Sequence, residues 1–183
     1  MGRSRDERDE MARVVVLTGE RGIGKTTICG ETVALARARG YECGGILTRT
    51  HDAHRQVEDV RSGEVRRLTA GPDAESVVVQ GRFRFDRSTL HWASVVVARS
   101  VPCDLLVIDE IGPLEVERDR GWAAAFDVLH GGGFRLAIAV IRPELVTPAQ
   151  LRLPVSARAV VTATRENRDC LPPVLMEMLE RQA

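Results

Sequence analysis

A mostly parallel β-sheet with helices packed on both faces is the fold class this sequence predicts. Three observations carry that reading. Short, wholly apolar runs at residues 14–17, 105–108, 136–141 and 159–161 have the length and character of strands buried on both faces. Stretches at 26–39, 86–99, 121–130 and 171–181 place apolar residues at helical spacing. The first strand joins the first helix through a glycine-rich turn rather than a polar loop.

The elements follow in order. Residues 1–11 alternate charges with nothing apolar to pack, so they read as a charged, flexible tail ahead of one domain at 12–183. The strand at 14–17 ends at Thr18-Gly19, and the helix at 26–39 closes at Gly40. Gly44-Gly45-Ile46-Leu47 predicts a second strand. The texture then changes: 56–68 is polar and β-compatible, broken at Ser62-Gly63, which predicts a hairpin. One further strand is expected over 77–85, so that residues from about 50 to 85 form an insertion adding antiparallel strands to the sheet. Asp86 and Ser88 are the expected caps of the helix at 86–99. The triple glycine at 131–133 ends the helix at 121–130, and Pro172-Pro173 open the last one.

Composition narrows the function classes. The chain has 183 residues, 26 Lys or Arg and 26 Asp or Glu, hence zero formal net charge. That balance argues against nucleic acid or an anionic membrane held by bulk electrostatics. No apolar run approaches the roughly 20 residues of a membrane helix, and no secretory signal opens the chain. Cys29, Cys43, Cys103 and Cys170 are widely spaced without a CxxC pair, as expected of reduced thiols in a cytoplasmic protein. Of the 26 basic residues, 25 are arginine; the one lysine is Lys25.

Lys25 falls in Gly19-Glu20-Arg21-Gly22-Ile23-Gly24-Lys25-Thr26, which fills every fixed position of G-x-x-x-x-G-K-[ST], with Thr27 following. Glycines let the backbone curl so that successive N–H groups point at an anion, and the next helix adds the partial positive charge of its N-terminus. A compact ammonium at Lys25 can follow the β- and γ-phosphates, which the planar fork of arginine suits poorly, and Thr26 offers a hydroxyl to Mg²⁺. Residues 19–27 are therefore the expected nucleotide-binding segment. An incidental lysine in a glycine-rich turn is the alternative, and the flanking strand and helix weigh against it.

The apolar run 105–108 delivers Asp109 and Glu110 at the end of a strand, where ligands of open parallel sheets bind. Asp109 is the expected Mg²⁺ partner opposite Thr26, through a water, and Glu110 the group that orients or deprotonates an attacking water. Arg142 emerges after the strand at 136–141 at the same sheet edge and is a candidate γ-phosphate or state-sensing group, the alternative being a surface arginine before Pro143. Arg82-Phe83-Arg84-Phe85 interleaves base and aromatic, but in a neutral chain with 4% aromatics it reads as an edge strand with Phe83 and Phe85 turned inward rather than a nucleic-acid platform. Glu166-Asn167-Arg168-Asp169 predicts a cap for the last helix. His51 and His54 read as loop residues, lacking a third ligand for zinc.

The segments 19–27, 44–48, 81–85 and, most specifically, Val107-Ile108-Asp109-Glu110-Ile111-Gly112-Pro113-Leu114-Glu115 together resemble one family. It is the small P-loop nucleoside-triphosphatase family first recognised in thermophiles, whose human member is called cancer-related nucleoside-triphosphatase. The resemblance spans nearly all of residues 13–181. It implies a RecA-like α/β fold and Mg²⁺-dependent hydrolysis of ATP, GTP, CTP and UTP to the diphosphate with loose base preference. It also implies Lys25 and Thr26 as phosphate and metal groups, Asp109 as the metal-linked acid and Glu110 as the catalytic carboxylate. The chain departs from the family at Pro113-Leu114, where a basic residue and methionine are usual. Two other functions share the same loop: a phosphotransferase whose insertion binds an acceptor, and a nucleotide switch acting through a protein partner.

Overall fold

The computed structural model describes residues 13–181 apart from 53, 72, 73, 75, 119, 123 and 155–158; the expected N-terminal tail lies outside the described residues. Seven strands form one sheet. They are β1 (Arg13–Thr18), β2 (Cys43–His51), β3 (His54–Asp59), β4 (Val65–Arg67), β7 (Leu105–Ile111), β8 (Leu136–Ile141) and β9 (Ala159–Thr162). The order is β4-β3-β2-β7-β8-β1-β9. The five strands β2, β7, β8, β1 and β9 pair in parallel, and β3 and β4 extend that sheet antiparallel from β2.

The apolar runs at 14–17, 105–108 and 136–141 are buried on both faces because each alternates between two cores, whereas the run at 159–161, expected to be buried likewise, forms the edge strand β9 and leaves Val160 40% exposed. Val15, Leu17, Val107, Ile138 and Val140 pack with helix α1 (Lys25–Ala38) and the C-terminal helix α6 (Leu171–Glu180). Val14, Val16, Leu106, Ile108, Ala139 and Ile141 pack with α2 (Arg87–Ala98), α3 (Pro113–Arg118) and α4 (Ala125–Gly131). This is the RecA-like P-loop arrangement: β8 lies between β1, which leads into the phosphate loop, and β7, which carries the acidic pair. No helix is long and apolar enough to cross a membrane among the described residues.

Several elements differ from expectation. The single strand foreseen over 77–85 is two, β5 (Val77–Gln80) and β6 (Phe83–Asp86), which form a separate antiparallel sheet about the two-residue turn Gly81-Arg82. Gly81 takes φ +56, which turns the chain back. The helix foreseen from 121 starts at Ala125, because Gly121 is left-handed at φ +74 and the Trp122 N–H is spent on Glu115. Helix α3 and α5 (Val146–Gln150) were not foreseen from sequence periodicity, being only 6 and 5 residues long. Asp86 does cap α2, accepting from Thr89 N at 2.8 Å, while Ser88 donates to Asp86 instead of capping. Asn167 caps no helix; it ties its own turn, accepting from Thr164 N and donating to Thr162 O. His51 ends β2 and His54 opens β3, the two forming a cross-strand pair rather than lying in a loop. Phe85 is turned inward as expected, and Phe83, stacked beside it, is partly buried against the same core.

Candidate functional site

At the carboxyl edge of β1, Thr18 leads into Gly19, and the chain enters α1 through Gly24 at φ +108. The α1 N-terminus has no side-chain cap and no acidic residue in its first turn. Its leading N–H groups are therefore left to meet an anion from outside the helix. Lys25 is buried, and its Nζ donates to the Gly19 and Glu20 carbonyls at 2.7 and 2.9 Å. The ammonium thus closes the loop upon itself, held by two bonds that a phosphate oxygen can replace.

A cleft of about 490 Å³ opens over this loop. Gly19, Arg21, Gly22, Gly24, Lys25 and Thr26 line one side; Asp109, Glu110 and Arg142 line the other, together with Thr50, Arg55, Pro143 and Glu144. The structure therefore brings together most of the residues singled out in the sequence. Glu20, Ile23 and Thr27 do not line the cleft: Ile23 is buried in the core beneath the loop, and Glu20 contributes only its carbonyl to Lys25.

Asp109 is 2% exposed. Its carboxylate accepts from Thr48 N at 3.2 Å, its carbonyl accepts the Thr48 hydroxyl, and the Thr26 hydroxyl, which donates to the Thr48 carbonyl at 3.4 Å, lies beside it. Burial pushes its pKa up to about 6, against the favourable neighbourhood of Thr26 and Thr48. No cationic side chain forms an ion pair with it among the described residues. A buried carboxylate beside a hydroxyl at the cleft wall is a hard oxygen donor set, which fits Mg²⁺.

Glu110 is half-buried and ion-paired with Arg142 Nε. The pair forms because β8 lies directly beside β7, so Arg142, one residue past Ile141, emerges next to Glu110. The Glu110 carbonyl accepts from Trp122 Nε1 at 2.9 Å. Trp122 is in turn held by Glu115, whose carboxylate accepts from Gly112 N and Trp122 N at 2.8 and 2.9 Å. Glu115 is 4% exposed, and burial pushes its pKa up to about 7 despite those two N–H donors. A Cβ on Gly121 would lie 1.8 Å from Glu115 Oε1, so this bracket requires glycine there.

Arg55, Thr48, Thr50 and Glu144 join the site without having been foreseen. Arg55 sits in a polar strand with no motif around it, and only the pairing Thr50–Arg55 across β2 and β3 brings it to the cleft.

A phosphate loop feeding an uncapped helix, with an acidic pair two strands away on the same sheet edge, defines a P-loop nucleoside-triphosphatase. The comparisons with known proteins agree: the NTPase family model matches residues 14–176, and the chain belongs to that family. The nucleoside-triphosphatase THEP1 of Methanosarcina acetivorans is 30% identical over 173 residues, covering 88% of this chain and 93% of the relative. The THEP1 protein of Thermofilum pendens is 29% identical, covering 90% and 93%. That of Methanosarcina barkeri is 30% identical, covering 88% and 94%. No solved structure matches the chain significantly.

Proposed function

We propose that this protein is a Mg²⁺-dependent hydrolase that splits nucleoside 5'-triphosphates into the diphosphate and phosphate, accepting ATP, GTP, CTP and UTP. The convergence of Lys25, Thr26, Asp109, Glu110 and Arg142 on one cleft is the observation that carries it. In this reading the loop N–H groups and Lys25 bind the β- and γ-phosphates, Lys25 exchanging its two carbonyl partners for phosphate oxygens. Thr26 and Asp109 would hold Mg²⁺, which would offset charge on the phosphate oxygens. Glu110 orients a water in line with the γ-phosphorus and accepts its proton.

The ion pair with Arg142 restrains Glu110. A γ-phosphate competing for Arg142 frees the Glu110 carboxylate to act as base, so the base is released when substrate is present.

Hydrolysis is favoured over phosphotransfer by the acidic pair itself: Asp109 and Glu110 both line the cleft, so a carboxylate able to activate a water stands beside the metal-linked acid. All four cysteines are free, which supports a cytoplasmic location, and we take residues 12–183 as one hydrolytic unit.

Phosphate release from the four triphosphates, with Mg²⁺ and with excess chelator, tests the reading in wild type, Lys25→Ala and Glu110→Ala. Metal-dependent release by wild type alone is expected. Equal rates in all three proteins would refute it.

A further inference from the structure

Four cationic side chains face the cleft, and three of them are readily accounted for. Lys25 belongs to the phosphate loop, Arg142 pairs with Glu110 and is the group the γ-phosphate competes for in the reading above, and Arg21 is exposed on the loop itself. Arg55 is different. Its guanidinium is half-buried in the cleft wall and donates to no acceptor among the described residues. Withdrawing a guanidinium from water without an acceptor is costly, so such a group is set to receive an anion.

Everything else about Arg55 is tied down. Its N–H donates to Thr69 Oγ1 at 2.8 Å, and its carbonyl accepts from Leu68 N and Thr69 N at 2.8 and 3.2 Å. The guanidinium carbon lies 5.0 Å from the centroid of Phe83. That ring stacks on Phe85, 6.1 Å away with planes 6° apart, and Phe85 is anchored in the core. The hairpin β5–β6 thus supplies a backrest for a charged group carried by a different strand. The charges that Arg55 feels are Glu110, Arg142, Arg21 and Asp109, two of each sign, so no single carboxylate holds it. Lys25 follows β1 and Arg55 sits on β3, with β2, β7 and β8 between them in the sheet. The two cations flank the cleft from opposite sides.

We propose that Arg55, carried by the insertion, is a catalytic residue that binds the γ-phosphoryl oxygens as hydrolysis proceeds, with Phe83 as the residue that positions it. This rests on the hydrolytic reading above. As the water oxygen bonds to the γ-phosphorus, the bond from that phosphorus to the β–γ bridging oxygen breaks. The nucleoside diphosphate leaves with the electron pair, and the water proton passes to Glu110. Arg55 exchanges no proton; its N–H groups hold the oxygens on which charge collects, from the side that the loop does not reach. The insertion thereby completes the active site in the manner of an arginine supplied in cis.

Two readouts test this. In single-turnover hydrolysis, Arg55→Ala should lower the rate roughly 10³-fold with triphosphate affinity within about threefold, and Arg55→Lys should recover little of it. Added guanidinium should partly restore Arg55→Ala. Phe83→Leu should slow wild type about tenfold and add nothing in the Arg55→Ala background. The second readout needs no turnover: aluminium fluoride should tighten diphosphate binding to wild type and not to Arg55→Ala, while diphosphate alone binds both equally. Undiminished tightening and rate in Arg55→Ala would overturn the assignment while leaving the hydrolytic reading intact. A wild type that releases no phosphate from any triphosphate refutes the hydrolytic reading, and if aluminium fluoride also fails to tighten its complex, the Arg55 assignment falls with it.

Discussion

Gly45 offers the sharpest test of how the acidic pair is held. It lies in β2 opposite Val107 of β7, at φ +107, and an added Cβ would fall 1.8 Å from the Val107 carbonyl oxygen and 2.8 Å from its nitrogen. Real Cβ contacts essentially never come below 3.0 Å, so the two strands would have to part by about 1 Å. Neither can yield easily. Gly45 N donates to Ser100 Oγ at 2.8 Å and Gly45 O accepts from Val60 N at 3.0 Å, while β7 is clamped between β2 and β8. Gly45→Ala therefore costs about 1–2 kcal/mol for the left-handed backbone and about 1 kcal/mol for each of two disturbed ladder bonds, roughly 4 kcal/mol with the loosened packing. Gly63→Ala is the control: it is also left-handed, at φ +75, but nothing lies within 4 Å of its added Cβ. It should lose only about 1–2 kcal/mol. Urea unfolding with matched m-values measures both. If the two variants lie within about 1 kcal/mol of each other, the close approach of β2 to β7 has been misjudged. Because β7 ends in Asp109 and Glu110, the surviving folded Gly45→Ala should also hydrolyse more slowly.

Three further predictions concern single groups. Lys25→Arg conserves charge but replaces a buried ammonium seated between two carbonyls, and turnover should fall roughly 10²-fold or more in a steady-state phosphate-release assay. Trp122→Phe keeps the ring and removes the bond to the Glu110 carbonyl; kcat should fall about fivefold, matching a bond of about 1 kcal/mol, with KM unchanged. Asp86→Ala should cost about 1 kcal/mol of stability at neutral pH through loss of the α2 cap. Hydrogen bonds from the Ser88 hydroxyl and Thr89 N lower the Asp86 pKa, so its contribution is present above the ordinary aspartate range and is lost as pH falls through the folded-state value. The stability gap to Asp86→Ala should therefore close in acid, and an NMR titration of the carboxyl checks the direction.

The sequence alone was enough to locate the phosphate loop, the acidic pair and the parallel sheet, because each is written in contiguous residues. A glycine-rich turn before Lys25, or four apolar residues ending in Asp109-Glu110, has its meaning whatever surrounds it. Arg142 could be nominated from its position after a strand, but its pairing with Glu110 depends on β8 inserting beside β7, a choice of strand order that no local pattern encodes. The short helix α3 and the Glu115 bracket escaped notice because their bonds join backbone N–H groups to one buried carboxylate and leave no periodicity behind. Arg55 is the extreme case. One arginine among 25, in a polar stretch, becomes part of the site only because the antiparallel register of β2 and β3 sets it opposite Thr50 and a separate hairpin brings Phe83 beneath it. Chemistry carried by neighbouring residues is legible in one dimension; chemistry shared by distant strands is decided by their alignment, which belongs to the packed sheet.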